Sequence, residues 1–209
     1  MIDKIAYEIA KSISTTLSFS DKWAGLTKPL RKKVRDRDTV FPVAINTISS
    51  CSQSDYTALT PDNTKKSVLY IENTGDVALD ISTLSQGKEL VTTTLRVVCW
   101  YNLDMITQGA YISEDYIVNE VYKNIPKTLP DSMFDNVKSV HISPLRVVYG
   151  SDIFSQYTYD EIKTQYGLHP YGYFAIDIEV WYVILTCLDD INPLTGCKTG
   201  MGEHLVEIV

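Results

Sequence analysis

Residues Tyr173–Leu185 read Tyr-Phe-Ala-Ile-Asp-Ile-Glu-Val-Trp-Tyr-Val-Ile-Leu, and this stretch decides the fold. Phe174, Ile176, Ile178, Val180, Tyr182 and Ile184 alternate without a break, the period of a strand with one buried face. The opposite face carries Tyr173, Ala175, Asp177, Glu179, Trp181 and Val183, polar in the middle and apolar towards the end. Such a strand needs partners on both sides. Leu90–Asn102 and Val137–Tyr149 are long and strand-like enough to supply them. Arg96 lies on the mixed face of the first partner, so a cross-strand ion pair with Asp177 or Glu179 is expected to set the register.

Outward from this centre the elements are mostly short. Ile2, Ile5, Ala6, Ile9, Ala10, Ile13 and Leu17 recur at helical spacing and predict an amphipathic helix over residues 2–17, packed on its own sheet. Val40–Ile48 is strand-like, with Pro42 pointing to an edge or a strand start. Residues 49–65 read as a long exposed loop, rich in Ser, Thr, Asp and Asn. Ser67–Asn73 is a strand closed by the turn signal Asn73-Thr74-Gly75-Asp76, and Val77–Ile81 is expected to pair back across it.

Ser113 reads as an N-cap, with Glu114 and Asp115 in a first turn that favours carboxylates. Ile117, Val118, Val121, Tyr122 and Ile125 form the expected buried stripe of that helix. Pro144 marks an interruption or bulge in the 137–149 strand. A crossover over 150–170 holds a helical piece near Tyr159–Tyr166. Its Tyr157, Tyr159 and Tyr166, with Tyr171 and Tyr173, are either a contact patch or buried rings with wet hydroxyls. The expected class is α+β: a mostly antiparallel sheet flanked by two or three helices, with extended N- and C-terminal arms. Residues 1–188 form a single domain in this reading, and 189–209 an interaction arm.

Two segments stand apart from the core pattern. Lys28, Arg31, Lys32, Lys33, Arg35 and Arg37 place six basic residues within ten positions of a chain whose net charge is −7. Such a block reads as a solvated arm for an acidic neighbour, including another copy of this acidic chain, in preference to phosphates. No groove-reading helix or interleaved aromatics accompany it, which argues against sequence-specific nucleic-acid recognition. The second is Leu205-Val206-Glu207-Ile208-Val209, at the tip of a loose segment with Pro193, Gly196, Gly200 and Gly202. An arm with a strand-like tip adds to a neighbour's sheet edge or folds back on its own subunit. Lys28, Arg31, Lys32, Lys33, Arg35, Arg37, Leu205, Val206, Ile208 and Val209 are therefore the expected subunit interface.

The chemistry-bearing residues form no recognisable catalytic motif. No P-loop, dinucleotide fingerprint, nucleophile elbow or zincin motif occurs. The four cysteines, Cys51, Cys99, Cys187 and Cys197, lack C-x-x-C spacing and read as reduced thiols. His141, His169 and His204 lie far apart, and no metal or cofactor is expected. Asp177 and Glu179 with Arg96 are the residues an unrecognised enzyme would use. No apolar run approaches the eighteen or so uncharged residues of a membrane helix. The N-terminus lacks the layout of a signal peptide, which predicts intracellular synthesis.

The strand Thr92–Tyr101, the following helix Ser113–Ile125 and the strand Phe174–Ile184 together resemble the tail-terminator or tail-completion proteins of tailed bacteriophages. Those are small acidic α+β proteins that form rings at the neck or the end of the tail tube. The resemblance covers residues 90–188 and rests on the order and texture of elements. Segment 28–37 and the C-terminal arm depart from it and suggest a larger neck ring, such as those of short-tailed crAss-like phages. It implies a homo-oligomeric ring in the virion, assembled in the host cytoplasm, without catalysis and away from membranes. Other neck or tail proteins would be its neighbours, and DNA would pass its lumen unread. The alternative is a monomeric adaptor using the Tyr-rich crossover and loop 49–65.

Overall fold

The computed structural model describes residues 1–34, 36–45, 56–75, 77–80, 88–108, 112–158 and 169–185. The expectations for 189–209, for the helical piece near Tyr159–Tyr166 and for the first part of the 49–65 loop lie outside the described residues.

In chain order, helix α1 (Ile2–Thr16) is followed by β1 (Lys22–Leu26), β2 (Lys28–Val34), β3 (Arg37–Ile45) and β4 (Tyr56–Ala58). Then come β5 (Ser67–Asn73), β6 (Ala78–Asp80) and β7 (Lys88–Asn102), with the short helix α2 (Leu103–Thr107) and helix α3 (Glu114–Lys123). The chain continues through β8 (Thr128–Leu129) and β9 (Val137–Val148) to β10 (Tyr171–Leu185). This is the α+β architecture expected, with an antiparallel-rich sheet at its centre.

The large sheet has the order β1-β5-β7-β10-β9-β8, with β6 also paired to β7. β10 lies between β7 and β9, antiparallel to both, as its alternation requires. Only β1 joins in parallel, to β5, among the described pairings. Leu95, Val97, Cys99, Phe174, Ile176, Ile178 and Val180 lie on one face, all fully buried, beneath α1 and α3. From α1 the residues Ile5, Ala6, Ile9, Ala10 and Ile13 reach down to them, also with no exposure. Each such isoleucine or leucine contributes about 1.5–3 kcal/mol by leaving water. Ser113 caps α3 as expected, its Oγ accepting from the Tyr116 amide at 3.3 Å.

The other face carries a second core. Val68, Tyr70, Val98, Trp100 and Ala175 are covered by Leu59, by Ile153, Phe154 and Tyr157, and by β3 through Val40, Phe41 and Ala44. β3 belongs to a small second sheet of order β2-β3-β4, so this sheet packs on the side of the large sheet opposite the helices.

Five expectations need correction. Pro42 marks neither an edge nor a strand start: it lies inside β3, the middle strand of the small sheet, opposite Pro29. The basic segment is a strand: β2 pairs with β3 through a tight turn, where Asp36 takes φ +64°. The 49–65 segment contains β4, paired to β3. β6 pairs with β7 rather than with β5, because the fifteen-residue β7 outruns the seven-residue β5 and leaves Leu90–Thr92 free on the same edge. Tyr122 is exposed, since it sits at the margin of the α3 stripe that Ile117, Val118, Val121 and Ile125 fill.

Candidate functional site: a buried charge ladder and a cationic hairpin

Across the second face of the large sheet runs a row of four charged residues on adjacent strands. Glu72 of β5 stands opposite Arg96 of β7, Arg96 opposite Asp177 of β10, and Asp177 opposite Arg146 of β9. Charge alternates along the row. Asp177, only 5% exposed, accepts from Arg96 Nε at 2.6 Å, from Arg96 Nη2 at 3.2 Å and from Arg146 Nε at 2.9 Å. Burial alone would raise the Asp177 carboxyl, but the two arginines outweigh it and hold the group below the usual carboxylate range. Glu72 accepts from the Tyr157 hydroxyl at 2.6 Å. Burial pushes its carboxyl above the ordinary value, opposed by the bonds from Tyr157 and Gln156 and by the charge of Arg96.

Of the two partners the sequence leaves open for Arg96, the register selects Asp177; Glu179 faces Thr94 and Ser143 instead and enters no described ion pair. Arg146 was missed because a bulge places it. Ile178 pairs with Pro144 and Asp177 with Arg146, so Leu145 is the extra residue that moves the arginine into the row. Glu72 had a signal that went unread. An acid ending the apolar run Val68-Leu69-Tyr70-Ile71 requires a partner if that strand is buried on both faces. With both Asp177 oxygens engaged by guanidinium groups, the row neutralises itself and leaves no free base or nucleophile at its centre.

The other described candidates for chemistry are Cys99, His141 and the exposed His169. Burial pushes the Cys99 thiol up to about 12, which keeps it protonated. His141 stacks on Trp181, ring centroids 3.9 Å apart. Of the tyrosine cluster, Tyr157 is buried, and Tyr171 and Tyr173 pack on the second core against Trp100 and Phe154. A cavity of about 150 Å³ beside the end of α1, lined by Phe19, Lys66, Tyr116 and Glu120 among others, is small beside the ~300–1,000 Å³ of ligand pockets. No group of three or more metal-ligating side chains occurs among the described residues. None of the described helices is long and apolar enough to cross a membrane.

The hairpin is the other charged feature, and its setting is the reverse. β3 anchors it: Pro42 and Val43 are buried, and Val40, Phe41 and Ala44 lean on the second core. Thr158 ties the anchor down, its amide donating to the Val40 carbonyl at 2.9 Å and its Oγ1 accepting from the Val40 amide at 2.8 Å. β2 hangs from this anchor as an edge strand. Lys28, Arg31, Lys32 and Lys33 are exposed on it, as is Arg37 at the start of β3. None of these five cations forms an ion pair with a described acidic residue. Arg35 and the segment Leu205–Val209 lie outside the described residues.

Comparison with known proteins adds no relative: no family model, no curated protein and no solved structure matches the chain.

Proposed function

We propose that this chain is a structural, ring-forming subunit of a tailed-bacteriophage virion, placed in the head–tail connector or at the end of the tail tube, with DNA passing through the ring. Its work is assembly rather than catalysis. Its partners are copies of itself and the neck or tail proteins on either side.

The observation that carries this reading is the cationic hairpin. Removing the six basic residues and one acid of Lys28–Arg37 from the total of −7 leaves −12 for the rest of the chain. A strongly acidic body therefore carries one exposed strand of the opposite sign, whose described cations form no ion pair with a described acid. Ring closure uses heterologous contacts, in which one patch meets a different patch on the next copy. A hairpin of one sign and a body of the other supply two such patches on a single chain. Lysines on an edge strand also discourage indiscriminate strand pairing. That serves the same end, because it leaves charge to select the partner.

The test is the mass of the purified protein in solution, by light scattering, at low and high salt. The reading predicts oligomers at low salt that dissociate as the Debye length falls from about 10 Å at 0.1 M to about 3 Å at 1 M. A strict monomer at every salt concentration would contradict it and favour the adaptor alternative.

A further inference from the structure

We infer that the outer edge of β9 at Leu145, Arg146 and Tyr149 is the docking site for segment Leu205–Val209 of a second copy of this chain. The inference rests on the oligomeric reading above and names one of its contacts.

Among the described residues, the outer edge of β9 is engaged from Ser139 to Ile142, by Asp131 at the Ser139 amide, by β8 at Val140 and His141, and by the Lys127 carbonyl at the Ile142 amide. From Ser143 to Val148 no described strand pairs with that edge. Leu145 and Tyr149, 55% and 63% exposed, are the two most exposed large hydrophobic residues described. Between them stands Arg146. Its Nε is held by buried Asp177, its side chain is 71% exposed, and its other nitrogens make no described hydrogen bond. A guanidinium oriented from behind by a buried acid, its outer donors without a described partner, is pre-organised to receive a carboxylate. Tyrosine and arginine are also the side chains that most often dominate an interface.

The same edge resists indiscriminate pairing. Pro144 lacks a donor and the bulge at Leu145 bends the strand, so a partner must match the side chains rather than extend a ladder.

Leu205-Val206-Glu207-Ile208-Val209 has the matching chemistry: one acid with apolar residues on both sides, against one cation with an apolar residue on both sides. Residues 186–204 span up to roughly 60 Å when extended, at ~3.3 Å per residue. They leave from Leu185, whose amide donates to the Asn136 carbonyl at the far end of β9. On its own subunit the outer edge of β9 between Val137 and Arg146 is already occupied by β8, at Val140 and His141. On a neighbour it meets the open edge directly.

Two variants and their combination test this by light scattering of the full chain at low salt. Glu207→Arg, at a position outside the described residues, is expected to weaken self-association by at least roughly tenfold. Arg146→Gln, which removes the outward charge without setting an acid against Asp177, is expected to do the same, and the double variant R146Q/E207R to associate no more weakly than either single variant. Unchanged association of E207R in a protein that still forms oligomers would overturn this contact while leaving the oligomeric reading intact. A wild type that never associates would overturn the reading itself.

The choice of a neighbouring copy is tested by cysteine cross-linking in a background with Cys51, Cys187 and Cys197 changed to Ser. Oxidising a mixture of R146C and E207C chains, one carrying a mass tag, is expected to give tagged–untagged dimers. A disulfide formed only within single chains of the R146C/E207C double variant would overturn it.

Discussion

The row Glu72–Arg96–Asp177–Arg146 and the hairpin strand Lys28–Val34 carry the same kinds of charge in opposite settings. In the row, every charge meets its opposite on the next strand, and Glu72 and Asp177 are buried. On the hairpin, Lys28, Arg31, Lys32 and Lys33 face solvent without a described acidic partner. The first arrangement is bound up with the fold, because a buried charge deprived of its partner is costly. The second does nothing for the fold that is evident from its contacts. Apart from Arg146, which is bonded to Asp177 and yet 71% exposed, the difference separates charges that hold this protein together from charges available to something outside it.

Cutting the row at its centre should have the largest effect. Asp177→Ala leaves Arg96 and Arg146 without their shared acceptor and is expected to lower the unfolding free energy by about 3–5 kcal/mol, read from urea denaturation. If Asp177→Ala were as stable as the wild type, the row would not be structural.

The pH dependence sharpens the same comparison, because the two acids of the row act in opposite directions. The folded Asp177 carboxyl lies below its ordinary value, so its contribution is present above the ordinary carboxylate pKa and is lost as pH falls through the folded one. The folded Glu72 carboxyl lies above its ordinary value, so its contribution is present at low pH and is lost as pH rises from the ordinary towards the raised value. Denaturation curves across the acidic range should therefore show a shallower low-pH decline in Asp177→Asn, Asp62 supplying part of what remains, and lose the decline just above the usual carboxylate range in Glu72→Gln. A profile unchanged by Glu72→Gln would show that this buried acid is not titrating there.

The smallest effect on stability belongs to the hairpin. Reversing Arg31, Lys32 and Lys33 to Glu together should change the unfolding free energy by no more than about 0.5 kcal/mol per site, as for exposed positions without partners. A larger loss would mean that the strand contributes to the fold after all.

Much of the large sheet was legible in the sequence because its central strands are long and regular. The Phe174–Ile184 alternation announces a buried face, and the two other long strand-like stretches are the ones that flank it. The cap at Ser113 and the stripe of α1 were readable for the same reason: each follows a local rule. The hairpin was hidden because β2 buries little, so its strand conformation leaves no hydrophobic period, only the run of charge. Arg146 was hidden because a bulge shifts pairing by one residue, and no periodicity carries that information. Arg96 could be matched to the face that carries Asp177 and Glu179, and the register chooses Asp177. The surfaces proposed for assembly come from what the fold leaves unused, and sequence pattern reports that only as an unexplained run of charge.

The most direct measurement is the solution mass of the R31E/K32E/K33E variant beside the wild type at low salt, with thermal unfolding of both recorded on the same samples. The account predicts a variant that unfolds like the wild type but no longer associates. A variant that assembles as the wild type does would contradict it and return the hairpin to the role of a guarded edge.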